Sequence, residues 1–172
     1  VTVETALGRT TTYRVENLST GEKRLTNTFC CGKQNESLAG NDGSSKMTLA
    51  DGMAIDVFQG PDPRWGMQTP VTSNGISTTP QGRQMTVEAS RDVVLTDPTD
   101  PLAQETINAT LIINGRTYTS DDDADSQTFT DTTPEDRQST TTIDAQGRVV
   151  KVQEAGLAPV SYGYDTGGRL TS

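Results

Sequence analysis

Ser139–Ser172 reads STTTIDAQGRVVKVQEAGLAPVSYGYDTGGRLTS and contains one unit written twice. Ile143-Asp144-Ala145-Gln146-Gly147-Arg148-Val149 is followed by Tyr164-Asp165-Thr166-Gly167-Gly168-Arg169-Leu170. Each is an apolar or aromatic residue, an Asp, two small or polar residues, then Gly-Arg and another apolar residue. Asp144 and Asp165, Gly147 and Gly168, and Arg148 and Arg169 each stand 21 residues apart. A fixed interval near twenty residues points to a repeat architecture.

The chemistry of one unit defines its local structure. Val149, Val150, Val152, Tyr162 and Tyr164 are β-branched or aromatic and suit a pleated surface. Asp-x-x-Gly between such runs is a turn, because Asp accepts from N–H groups just downstream and Gly takes a positive φ without steric cost. Gly156 and Pro159 punctuate the return. Each unit is therefore expected to be a β-hairpin, and one hairpin cannot bury its own face, so hairpins must lie against one another.

Tyr162-Gly163-Tyr164-Asp165-Thr166-Gly167-Gly168-Arg169-Leu170 resembles the signature of the Rhs/YD-repeat family. That family includes bacterial polymorphic toxins, the cocooning subunits of insecticidal toxin complexes and the teneurin cell-surface proteins. Gly60–Met67, Asn114–Tyr118, Leu157–Val160 and the copy at Ala6–Tyr13 also read like segments of such chains. The resemblance implies a hollow shell around a cargo or an extracellular adhesion surface. It also implies that this chain is a piece of a longer secreted or surface-displayed polypeptide.

The fold expected is all-β, with consecutive antiparallel hairpins laid side by side into a curved or spiralling sheet and very little helix. Only 31% of residues are hydrophobic, too few for an ordinary compact core but enough for a thin sheet with one sheltered face. No stretch shows a 3.6-residue period, and no internal boundary stands out, so residues 1–172 read as one domain. Other turns are expected at Gly8-Arg9, Asn17–Gly21, Gly32-Lys33, Asp51-Gly52, Gln81-Gly82-Arg83 and Thr133–Asp136, and a two-residue hairpin turn at Asn114-Gly115 before Arg116. Gly60–Thr69 reads as a Pro-rich loop, Val93–Leu95 as a short separate strand and Asp121–Asp125 as an acidic loop. Tyr13, Tyr162 and Tyr164 are expected to serve as repeat aromatics. Arg9, Arg83, Arg116, Arg148 and Arg169 each follow a turn glycine, which suggests a ladder of charge-assisted bonds between stacked turns.

Few chemistries fit. The chain has no His, so Ser-His-Asp and Cys-His nucleophiles and His-ligated zinc are absent. Net charge is -9, the wrong sign for nucleic-acid phosphates or an anionic membrane surface. No run of apolar residues is long enough to span a bilayer. Neither a cofactor nor a metal site nor an enzyme activity is expected. Asp121-Asp122-Asp123-Ala124-Asp125 opens like a calcium loop, but Ser126 and Thr132 stand where Gly and Glu are needed. Cys30 and Cys31, the only cysteines, read as turn residues, as a strained vicinal disulfide, or as interchain partners. Asn17, Asn35 and Asn108 begin Asn-x-Ser/Thr sequons. Trp65 is the candidate ligand contact, for a glycan or a protein surface. The function expected is a structural wall segment whose partners are other repeats, or other copies joined at their sheet edges. An adhesion module is the alternative.

Overall fold

The computed structural model describes residues 1–171, and among them every regular element is a strand. The strands are β1 (Thr2–Glu4), β2 (Thr10–Asn17), β3 (Lys23–Thr28), β4 (Gln34–Ala39), β5 (Ser44–Thr48), β6 (Ala54–Asp62) and β7 (Gly66–Thr78). They continue with β8 (Gln84–Leu95), β9 (Gln104–Ile113), β10 (Arg116–Asp123), β11 (Thr128–Thr132), β12 (Gln138–Ile143), β13 (Val149–Glu154) and β14 (Val160–Ser161). The hydrogen-bonded order follows the chain order without a crossover, and every registered pair is antiparallel. The all-β, consecutive-hairpin expectation holds. The residue contacts divide the chain into two compact units where the sequence shows no boundary. One is Val1–Asp62 with Gly66–Glu88; the other is Pro63–Trp65 with Ala89–Ser172.

In the first unit the register sorts side chains cleanly between two faces. Val15, Leu25, Ser37, Met47, Ile55, Ser77 and Met85 form one row across β2 to β8. The adjacent row, on the opposite face, is Glu16, Arg24, Leu38, Lys46, Asp56, Ile76 and Thr86. A period of two places these neighbouring rows on opposite faces. Neither face is covered: no hydrophobic residue among those described is buried, and Asp62 alone is buried at all. This unit is a sheet one layer thick.

In the second unit the rows are rich in threonine. Thr110, Thr119, Thr132 and Gln138 line up across β9 to β12, and the hydroxyls of Thr130 and Thr140 approach to 3.3 Å across one strand pair. The other face carries Ile107, Asp122, Phe129, Thr141, Val152 and Val160 in one row.

Three sequence expectations change. The loop expected over Gly60–Thr69 shrinks to residues 63–65, because β6 and β7 run on as a two-stranded finger. β6 pairs β5 only as far as Phe58, and β7 pairs β8 only from Asn74. Pro61 and Pro70 therefore sit where the ladder does not need donors on both sides, which is where a strand tolerates proline. Val93–Leu95 is the end of the twelve-residue β8 rather than a separate strand. Asp121 to Asp123 belong to β10, paired with Asn108, Ile107 and Thr106.

Candidate functional site

The recurring feature is a corner. In it the first residue's N–H donates to the carbonyl four residues on, and the fourth residue's N–H donates back to the first residue's carbonyl. Thr5, Leu18, Phe29, Leu49, Thr79, Thr133, Asp144 and Asp165 each begin such a corner, with both bonds between 2.8 and 2.9 Å. The fourth residue has a positive φ in every one: Gly8, Gly21, Gly32, Gly52, Gly82, Asp136, Gly147 and Gly168. This is the three-residue hairpin loop whose last position is left-handed. Antiparallel order alternates the corners between the two ends of each unit. Gly8, Gly32, Gly52 and Gly82 turn one end of the first unit, while Gly21 turns the other. One strand pair and two corners make up the interval, which is why Gly147 and Gly168 share an end in the second unit.

What differs among corners is the side chain at the first position. Asp144 Oδ1 accepts from the N–H groups of Gln146 (2.9 Å) and Arg148 (3.0 Å), and Oδ2 from Arg148 Nε at 2.7 Å. Asp165 repeats all three with Gly167 N, Arg169 N and Arg169 Nε at 2.9, 2.8 and 2.9 Å. Thr5, Thr79 and Thr133 have one oxygen, which accepts only the N–H of Arg9, Arg83 and Arg137. Leu18, Phe29 and Leu49 have none; in the Leu49 corner Asp51 Oδ1 takes over and accepts the Met53 N–H at 3.0 Å, while Asn35 Oδ1 accepts the Ala50 N–H at 2.8 Å. The Gly32 corner thus keeps its geometry without the Asp.

These corners correct one expectation. The Asp–Arg bonds lie within a turn, not between stacked turns, and Arg9 and Arg83 have no corner carboxylate to bind. Asn114 (φ 51°) and Gly115 (φ 78°) form the two-residue loop that Asn-Gly signals, in which Ile113 faces Arg116. Arg116 instead pairs across to Glu135 on the neighbouring corner.

Asp144 and Asp165 are held below the usual carboxylate range. For Asp144 the main cause is the Arg148 side chain; for Asp165 it is the Arg169 N–H, with the Arg148 charge contributing. Arg148 thus acts on both corners. Its guanidinium lies over the Tyr164 ring, 4.6 Å from the centroid, and Tyr164 Oη donates to the Val149 carbonyl at 2.8 Å. Arg169 lacks such a cover and its side chain is 85% exposed, against 34% for Arg148. Tyr164 thus touches the corner of the preceding unit through both ring and hydroxyl. Tyr162 is half-buried and its N–H donates to the Val150 carbonyl, whereas Tyr13 stands mid-strand opposite Asn27.

The other candidates disperse. Cys30 and Cys31 occupy the two central positions of the Phe29 corner as free, exposed thiols. Asp121 and Asp122 face opposite sides of the sheet; Asp122 accepts from Gln104 Nε2 at 3.0 Å, and Asp123 accepts from the N–H groups of Asp125 and Ser126. No group of three or more His, Cys, Asp or Glu among the described residues is placed to hold a metal ion. Trp65 stands at the tip of the β6–β7 finger, 37% exposed. A polar groove of about 530 Å³ runs from Gly115 to Asp136 and is lined by the hydroxyls of Thr117, Thr119, Thr132 and Thr133. No aromatic ring lines it.

The chain matches no family model, and no curated protein is significantly similar to it. No helix among the described residues is long and apolar enough to cross a membrane.

Proposed function

We propose that this chain is a structural wall segment of a secreted or surface-displayed repeat protein, of the kind its Tyr162–Leu170 motif resembles. The observation that carries the reading is the corner repeated eight times among the described residues along an uncrossed strand order, with no buried hydrophobic residue among them. A sheet that buries no hydrophobic side chain has no core of its own, so its natural use is as one panel beside further panels. Its partners are then neighbouring repeats of the same or another copy, met at strand edges whose N–H and C=O groups invite pairing. Excising one interval, Ile143–Gly163, from the protein in its host tests this. A panel predicts loss of the assembled particle or of protease protection for whatever it encloses. Intact assembly with lost ligand adhesion would reject it.

A second reading, an adhesion module for glycans or proteins, is favoured by the exposed Trp65 at a finger tip. Tryptophan-fluorescence titration against a glycan array separates the two. A saturable response that disappears in Trp65→Ala supports adhesion, and no response supports the panel.

A further inference from the structure

We propose that the first unit pairs face to face with a second copy of the chain through its apolar surface, giving a closed two-layer sandwich. This goes beyond edge-to-edge assembly and holds whether or not the chain is a panel.

The first observation is how unevenly charge is divided. The face bearing Val3, Tyr13, Val15, Leu25, Met47, Ile55, Val57, Met85 and Val87 has one charged residue in all its registered rows, Lys23, and no carboxylate. The opposite face has eight: Glu4, Arg14, Glu16, Arg24, Glu36, Lys46, Asp56 and Glu88. Several of these satisfy one another there, as Arg14–Glu16 at 2.8 Å and Lys46–Asp56 at 3.7 Å do. In a chain of net charge -9, two copies repel each other over most of their surface. They can meet on this face without burying an acidic group. The face is also wet as it stands: Val15 is 60% exposed and Leu25, Met47, Tyr13 and Met85 about 40%.

The second observation is size. Seven strands spaced about 4.8 Å apart, each contributing about five residues of about 3.4 Å, give a face of roughly 30 by 17 Å. Two such faces bury on the order of 1,000 Å², the lower bound of a specific interface. The third is relief. Gly75 lies between Val57 and Val87 in one row, and the missing side chain leaves an apolar depression of about 240 Å³ lined by Ile55, Val57, Met85 and Val87. The bulky, protruding residues lie at the far side of the same face, on β2 and β3. A two-fold axis along the strand direction sets the Val15–Leu25 side of one copy over the Gly75 depression of the other, and the reverse contact follows by symmetry. Packing two sheets about 10 Å apart would give this unit the dry core that it lacks alone.

Light scattering or sedimentation of the whole chain over a concentration series tests the proposal. The mass should rise from 18.4 kDa and level off at twice that value. L25E combined with M47E should hold the chain at monomer mass, weakening association at least 100-fold. L38E puts the same chemistry on the opposite face between Arg24 and Lys46, and should leave the dimer unchanged. If L25E/M47E loses its β-sheet circular-dichroism signal, V15K takes its place and should likewise give monomer. A monomer at every concentration overturns the proposal. So does a mass that climbs past two copies and ignores the apolar-face substitutions, which would mean the edges join instead.

Discussion

The guanidinium of Arg148 lies 4.6 Å from the centroid of the Tyr164 ring, and the hydroxyl of that ring bonds the carbonyl of Val149, one residue beyond Arg148. A tyrosine from one repeat thus clamps both the side chain and the backbone of the corner before it. Removing the hydroxyl alone, in Tyr164→Phe, should cost about 0.5–1.5 kcal/mol, since a half-buried carbonyl loses its donor. Tyr164→Ala should cost more, because the ring and its cation contact go as well. Urea unfolding followed by circular dichroism measures both. Equal losses in the two variants would show that the ring contributes nothing beyond its hydroxyl.

Gly147 has a φ of 76°, and a Cβ built there would meet nothing within 4 Å. Gly147→Ala should therefore cost only the left-handed backbone penalty, about 1–2 kcal/mol. Gly147→Asn should cost less, since Asn tolerates that region. At Gly21 the added Cβ would lie 2.2 Å from Asn41 Nδ2, and Gly21→Ala should exceed Gly147→Ala unless the Asn41 side chain swings away. Chemical denaturation of the three variants gives the ranking.

Acid should loosen the sheet at its corners. Asp42, Asp97, Asp123, Asp144 and Asp165 all have carboxyls held low. The leading causes are, in turn, the Ser44 hydroxyl, the Thr99 hydroxyl, the Ser126 N–H, the Arg148 side chain and the Arg169 N–H. A depressed folded value means that the unfolded chain binds more protons, so stability rises with pH. The contribution is complete above the ordinary Asp value of about 4 and disappears as pH falls through the lower folded values. Thermal midpoints should be level from neutral pH to about 5 and fall below about 4. In D144N/D165N the acid slope should be shallower; an unchanged slope would place the titrating groups elsewhere.

Native protein should react rapidly with a thiol reagent at both Cys30 and Cys31. C30S/C31S should unfold within about 0.5 kcal/mol of the parent, since the central positions of this turn accept most residues. A thiol count of zero under non-reducing conditions would instead mean that the pair is oxidised.

The strands and corners were legible because their causes are local. Asp-x-x-Gly-Arg carries its own acceptor, its own left-handed residue and its own cation, so Asp144–Arg148 and Asp165–Arg169 could be paired from spacing alone. Asn17–Gly21, Asp51-Gly52 and Thr133–Asp136 were legible as turns but not as the same corner, because Leu18 and Leu49 supply no side-chain acceptor at the first position and Asp136 stands where the others have Gly. Asn114-Gly115 was legible as a two-residue turn, because two adjacent residues that tolerate positive φ suit that loop. The finger around Trp65 was read as a loop because prolines usually break strands. Only the strand register shows that Pro61 and Pro70 fall where their missing donors cost nothing.

By itself, then, the sequence determined an all-β chain of successive hairpins turned by glycine-bearing corners, because turn preference and β-propensity act over a few residues. Tertiary structure alone decided which side chains share a face. A residue's side depends on parity carried through six or seven paired strands, and each bulge or loop length resets that parity. That is why the carboxylate-free face of Val15, Leu25 and Met47 became visible only once the strands were in register.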